Sequence, residues 1–324
     1  MALERGTISE YRYIKLTFNN LSASILYDRG CNIIEFKDLT TDCSFLHTPS
    51  KEELEEFQEA PQRFGSAILF HPNRLGHECF TRDGHTYNYE KAGLPPSHGL
   101  LRFAAFTVEE EEETSEYQRV KCSFNSKGTL YDTAFHWKFI CNMAFTLDSH
   151  GLTSHMEFFN IGDVPIPFGL GFHTAFRIPS NPNSSSKEVS CKVSVTNSWT
   201  DYGKCTKWGC GTRLCDIPEE SITILDPLKE SIAIPYTDYK DQCHYAIIED
   251  ENLPFRLIYE TDPQFKHWMI WNNACRGGYI CIEPMTWMID APNSPLPDQL
   301  SGFSYLERGK PKSFTNRFLL EPKE

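Results

Sequence analysis

The sequence of 324 residues is short of positive charge and of long apolar runs. Its 31 lysines and arginines stand against 44 aspartates and glutamates, a formal net charge of −13. Such a surface repels a phosphate backbone and an anionic bilayer, so neither nucleic acid nor membrane is expected as a partner. No uncharged apolar stretch approaches the roughly 18 residues of a membrane helix, and Met1 to Gly6 lacks the apolar core of a signal peptide. A soluble, cytoplasmic chain is the expectation. Nucleotide and serine-hydrolase signatures are missing as well: there is no G-x-x-x-x-G-K-[ST] loop, no G-x-G-x-x-G opening a helix and no G-x-S-x-G elbow. Twelve cysteines are few for this length without an export signal, and they read as reduced, mostly buried thiols. Cys205, Cys210 and Cys215 lack the spacing of zinc knuckles, and His71, His77, Cys79 and His85 follow no ligand pattern, so no catalytic metal is expected.

What is present is core material, 40% hydrophobic and 13% aromatic, arranged with a period of two. From Phe135 to Leu147 every second residue is large and apolar, which reads as a long strand with one buried face. The same alternation runs through Val120–Phe124, Leu152–Phe158 and Phe255–Tyr259. Turn signals such as Asp83-Gly84, Asn125-Ser126-Lys127-Gly128 and Arg276-Gly277-Gly278 separate such runs, the pattern of a sandwich or barrel. One segment reads clearly as helix: Ser50 caps Lys51–Glu59, Glu53 completes a capping box, and Pro61 stops it. Glu109–Glu113 reads as a solvated strand end or loop, and Asn181–Lys187 as the best candidate for a mobile loop. With no repeat and no linker, residues 1–324 are read as a single domain.

Three segments could carry chemistry. In Gly169–Phe176, read as a strand, one face carries Leu170, Phe172 and Phe176 while the other is nearly bare around His173. Glycines beside a lone histidine leave room for a ligand or another chain segment; a barrel bend with a hydrogen-bonded histidine explains them equally. In Gly277–Pro284, Glu283 shares a strand face with Cys281 and Tyr279, as an ion-pair partner or as a general base in a cleft. The third stretch, Phe70 to Arg102, sets Arg74 and His98 among prolines and glycines, good positioned donors for a hydroxylated ligand.

Four motifs in order resemble the aldose 1-epimerase (mutarotase) family, and more closely its bacterial galactose-mutarotase-like branch. They are Pro72-Asn73-Arg74-Leu75-Gly76 with Asp83-Gly84 and Tyr87, then His98-Gly99, then Phe168–His173, and last Cys281-Ile282-Glu283-Pro284. The resemblance implies an all-β fold, a large antiparallel β-sandwich, and a cofactor-independent isomerase interconverting the α and β anomers of a hexose such as galactose or glucose. It implies Glu283 as general base, His173 as general acid, and Arg74 and His98 as substrate-binding residues. The further substrate-binding aspartate would be Asp241, with Asp238 as its rival. Two departures stand out: Thr174-Ala175 after the histidine, and Met285-Thr286-Trp287 after the glutamate. The alternatives are a hexose-phosphate 1-epimerase, for which Arg74 and Arg102 would be the phosphate donors, and a non-catalytic carbohydrate-binding protein on the same fold.

Overall fold

The computed structural model describes residues 3–95, 97–200, 213–217, 221–237 and 244–323. The alternating runs at 120–124, 139–147, 152–158 and 255–259 all form strand. Phe139–Asp148 buries every second side chain, Phe139, Cys141, Met143, Phe145 and Leu147, and leaves the intervening residues half-buried. It turns back into Gly151–Asn160 at an aspartate whose Oδ1 accepts from the backbone N–H groups of His150 (2.7 Å) and Gly151 (3.2 Å). Tyr117–Asn125 and Phe255–Glu260 belong to the same nine-stranded antiparallel sheet.

Its end is Thr107–Glu113, so the acidic run is an edge strand. Arg119 and Lys121 on the neighbouring strand pair with Glu112 and Glu110, and an open edge lined with carboxylates discourages further strand addition.

A second, twelve-stranded antiparallel sheet lies against the first. Its centre runs Asn32–Asp38, Ser66–Leu69, Gly171–Arg177, Tyr279–Met285, His267–Trp271 and Ala233–Thr237. Between the sheets lies one contiguous apolar cluster, in which Phe318 stacks on Tyr259 (ring centroids 4.8 Å) and on Phe36 (5.7 Å). The architecture is therefore the expected antiparallel sandwich. Among the described residues no helix is long and apolar enough to cross a membrane.

Three expectations need correction. Phe135 and Trp137 are not in the long strand: Leu130–Phe135 is a helical turn ended by a left-handed His136, and the apolar alternation runs through it only by coincidence. Lys51–Glu59 is helical, but as a 3₁₀ turn (Lys51–Glu53) leading into α-helix (Leu54–Glu59), and short helical turns occur elsewhere, as at Tyr89–Ala92. The segment Asn181–Lys187 is tied down, since Asn181 donates to Ser184 Oγ (3.0 Å), which donates to Asp250 Oδ1 (2.8 Å).

Candidate active site

The histidine strand, Gly171–Arg177, is paired on one side with Ser66–Leu69 and on the other with the glutamate strand, Tyr279–Met285. Its register sets Thr174 opposite Ile282 and Gly171 opposite Met285, so His173 faces Glu283 across the ladder. Ala67 lies opposite His173 on the far side, and Met269 opposite Glu283. The row Ala67, His173, Glu283, Met269 thus crosses four strands on the face away from the core. On the core face stand Phe172, Thr174 and Phe176. Thr174 Oγ1 shares a hydrogen bond with Ser66 Oγ (2.8 Å) and donates to Tyr259 OH (3.2 Å). The first departure from the family pattern is thereby explained: threonine serves the core, and Ala175 packs with Cys281, Tyr279 and Trp271.

The bare face around His173 is covered by side chains rather than kept open along its length. A Cβ on Gly169 would sit 2.3 Å from the Trp287 ring, and one on Gly171 would sit 2.8 Å from Pro72 Cβ. The sequence Gly169–Phe176 is accordingly not one strand, since Gly169 and Leu170 form a break after Ile166–Phe168. Trp287 Nε1 donates to the Pro72 carbonyl (3.2 Å), and Thr286 exchanges two hydrogen bonds with Leu170. The second departure therefore holds the Pro72–Arg74 segment against the sheet.

That segment runs beside Ser97–Gly99. Arg74 bridges Ser97, the His98 N–H donates to the Asn73 carbonyl (2.7 Å), and Phe70 bridges Gly99. Gly99 has φ +62°, and a Cβ there would lie 1.6 Å from the Phe70 carbonyl oxygen, so no other residue fits. Arg102 is not a free phosphate donor: its buried guanidinium donates through Nη1 to the carbonyls of Ser97 (3.0 Å) and Gly99.

The result is a cavity of about 160 Å³ lined by Arg74, His98, His173 and Glu283, which lie far apart in the sequence. Asp241 and its rival Asp238 lie outside the described residues. Gln62, Arg63, Asn73, Met269 and Trp271 complete the lining, and sequence reasoning had not singled them out as a group. Gln62 and Arg63 come from the 3₁₀ turn Pro61–Arg63, where Arg63 pairs with Glu56 (2.5 Å) and lies over the Trp271 ring. Cavities of about 460 and 790 Å³ lie elsewhere, but neither brings a buried carboxyl against a buried histidine.

His173 Nε2 and Glu283 Oε1 are 3.3 Å apart, and both side chains are about 5% exposed or less. The His173 ring is met edge-on by His98 (centroids 5.3 Å) and Trp271 (5.8 Å). His173 Nδ1, Glu283 Oε2 and His98 Nδ1 are buried without a hydrogen-bond partner, which is costly in a finished core and normal in a polar binding site. Burial pushes the Glu283 carboxyl up to about 8, against an opposing pull from Arg74. Burial, with the Arg102 and Arg63 charges, pushes His173 down to about 3. His98 is also held well below its ordinary value by burial, then by His173, Arg102 and Arg74. The pair is therefore a neutral one with a single proton, carried by the carboxyl, because neither charged form is adequately solvated. Two neutral groups of opposite function at contact distance can accept a proton from one atom of a ligand and donate one to another.

His71, in the same region, is structural. It sits between Tyr89 OH (2.5 Å) and the Pro167 carbonyl (2.6 Å), fully inside the fold. Among the described residues no group of three or more histidine, cysteine, aspartate or glutamate side chains is arranged to hold a metal ion.

The family model for aldose 1-epimerase matches residues 12–308. A galactose mutarotase-like protein from Clostridium acetobutylicum superposes with a TM-score of 0.88 at 24% identity, covering 99% of this chain and 98% of its own. Galactose 1-epimerase from Lactobacillus acidophilus NCFM superposes with a TM-score of 0.72 at 13% identity, covering 100% of this chain and 98% of its own. At such identities the likeness to these structures concerns the fold.

Proposed function

The chain belongs to the aldose 1-epimerase family, and on that premise we propose that it interconverts the α and β anomers of a free hexose such as galactose or glucose. The observation that carries the reading is the His173–Glu283 contact at 3.3 Å inside a cavity also lined by Arg74 and His98. Glu283, as carboxylate, takes the proton from the anomeric hydroxyl, while His173, as imidazolium, gives its proton to the ring oxygen. The bond from the anomeric carbon to the ring oxygen breaks, its electron pair goes to that oxygen, and the anomeric oxygen becomes an aldehyde carbonyl. Rotation about the adjacent carbon–carbon bond turns the other face of the aldehyde to the ring hydroxyl. Closure then reverses both transfers.

The pair holds one proton throughout, on His173 before opening and on Glu283 after it. The form favoured by burial, with the proton on Glu283, is the one reached after opening. In the free protein burial leaves the proton on Glu283, and across 3.3 Å it passes directly to His173 to give the form that opens a cyclic sugar. Neither step calls for a cofactor. Arg74 and His98 hold the sugar hydroxyls, and Glu283, the one carboxyl of the lining among the described residues, is neutral at rest, which suits an uncharged ligand.

One observation favours the second reading, a hexose-phosphate 1-epimerase: Arg63 joins Arg74 in the lining and gives an acidic chain a locally cationic cavity. The experiment follows freshly dissolved α-D-galactose or α-D-glucose to anomeric equilibrium by polarimetry or NMR, with wild type and Glu283→Gln, and repeats it with hexose 6-phosphates. Acceleration by wild type and its loss in the variant supports the mechanism. No acceleration with any sugar overturns it, and sugar binding without acceleration identifies a binding protein. Acceleration confined to the phosphates selects the second reading.

A further inference from the structure

We propose that Arg102 is a positioning residue for the reaction, holding His98 at the cavity wall by gripping the backbone carbonyls on either side of it. The inference rests on the reading above in taking His98 to touch the sugar. His98 and Gly99 are consecutive residues in the left-handed region, with φ of 61° and 62°. For histidine that conformation is disfavoured by contact between Cβ and the following carbonyl, so something has to hold it. Arg102 does so from behind, its Nη1 donating to the Ser97 and Gly99 carbonyls. The arginine is itself fixed, because its guanidinium lies over the Phe103 ring at 4.3 Å and its backbone packs against Gly30 so closely that a Cβ there would be 2.7 Å from Arg102 Cα.

Two further ties make the loop rigid. Tyr131 OH accepts from the Leu100 N–H (3.0 Å) and donates to the Phe70 carbonyl (2.8 Å), joining the strand end before Arg74 to the loop that carries His98. Arg102 is 6% exposed, and among the described residues its acceptors are these backbone carbonyls rather than a carboxylate. Burying a guanidinium in this way is expensive, and filling the same space for stability alone calls for an apolar side chain. What an apolar side chain cannot do is bind two carbonyls, which the two N–H bonds of Arg102 Nη1 do in the fixed plane of the guanidinium. The sequence order His98-Gly99-x-x-Arg102 thus reads as one device in which the last residue sets the first.

The test is a double-mutant cycle with Arg102→Met and His98→Ala, read as kcat and KM for anomer equilibration. Arg102→Met is expected to lower kcat/KM roughly 10²-fold, with the same division between kcat and KM as His98→Ala. The double variant is expected to be no worse than His98→Ala alone, and Arg102→Lys to lie between wild type and Arg102→Met. Effects that multiply in full would mean that Arg102 acts independently of His98, and would overturn the proposal. Should Arg102→Met fail to fold, Arg102→Lys takes its place in the cycle, and its smaller loss has to vanish in the His98→Ala background.

A second measurement does not depend on activity. In protein labelled with ¹⁵N-histidine, the ring signals of His98, identified by their loss in His98→Ala, are expected to shift in Arg102→Lys while those of His267 and His155 stay in place. An unmoved His98 signal overturns the proposal. If wild type accelerates no sugar, the reading of function falls and this measurement alone decides the placement of His98.

Discussion

Phe139–Asp148 and Tyr279–Met285 are built on the same alternation and end in opposite conditions. The first, in the nine-stranded sheet, buries one face and leaves the other half-open. The second, at the centre of the twelve-stranded sheet, buries every residue from Tyr279 to Met285. Its core face, Ile280 and Ile282, is what a sandwich requires. Its far face carries Tyr279, Cys281 and Glu283, and these are as buried as the isoleucines. A strand that spends a carboxyl on a buried face gains no stability by it, since Glu283 Oε2 has no partner there. The comparison teaches where to look for chemistry in an all-β chain: at the strand whose alternation in polarity survives while its alternation in exposure is lost.

The largest effect that would sharpen this contrast is on the glutamate strand. Glu283→Gln is expected to cut the anomerisation rate by about 10²–10⁴-fold without lowering the thermal midpoint, because it exchanges a buried carboxyl for a neutral amide. A stability loss as large as that of a core truncation would break the comparison. The converse change belongs to the other strand. Phe145→Ala is expected to cost about 3–5 kcal/mol in chemical denaturation and to leave KM unchanged in the fraction that remains folded.

Thr174→Val separates the two faces of the histidine strand. It deprives Ser66 and Tyr259 of a buried hydroxyl partner, and a loss of about 1–3 kcal/mol is expected with kcat/KM within a factor of two or so. A large fall in kcat without a fall in stability would show the faces to be coupled. The smallest effect is read from pH. A carboxyl raised to about 8 keeps its proton through neutrality, so the pair holds its single proton until the pH passes about 8. Above that it has a base and no acid, and kcat/KM corrected for the buffer reaction is expected to be halved near pH 8 and to fall further beyond. On the acid side, His173 at about 3 predicts no loss down to roughly pH 4. A rate that rises across pH 8 would assign the proton differently.

How much of this was legible in the sequence depended on whether the signal was local. The alternation of Phe139–Leu147 and the shared face of Glu283, Cys281 and Tyr279 follow from a period of two, which the chain carries within a few residues. The junction at Phe135–Trp137 misled because a helical turn ended by a left-handed residue can imitate two steps of a strand. Arg63 was invisible as a wall residue: nothing in Pro61-Gln62-Arg63 fixes its direction, which comes from Glu56 and from Trp271, more than 200 residues away in the chain. Met269 and Trp271 enter the site through the register with the glutamate strand, which two separate strands settle only on meeting. The glycines around His173 do mark a close approach, but the approaching groups are Trp287 and Pro72.

The position of the histidine strand also has a consequence for biosynthesis. Its partner on one side, Ser66–Leu69, leaves the ribosome before it, but the glutamate strand follows only about a hundred residues later. At roughly 5–20 residues per second the His173 strand waits for several seconds with unpaired N–H and C=O groups along that edge. The same late insertion that completes the acid–base pair also closes that edge. A ribosome stalled before Tyr279 therefore carries a chain without a proton-transfer pair and with one edge of its histidine strand unpaired.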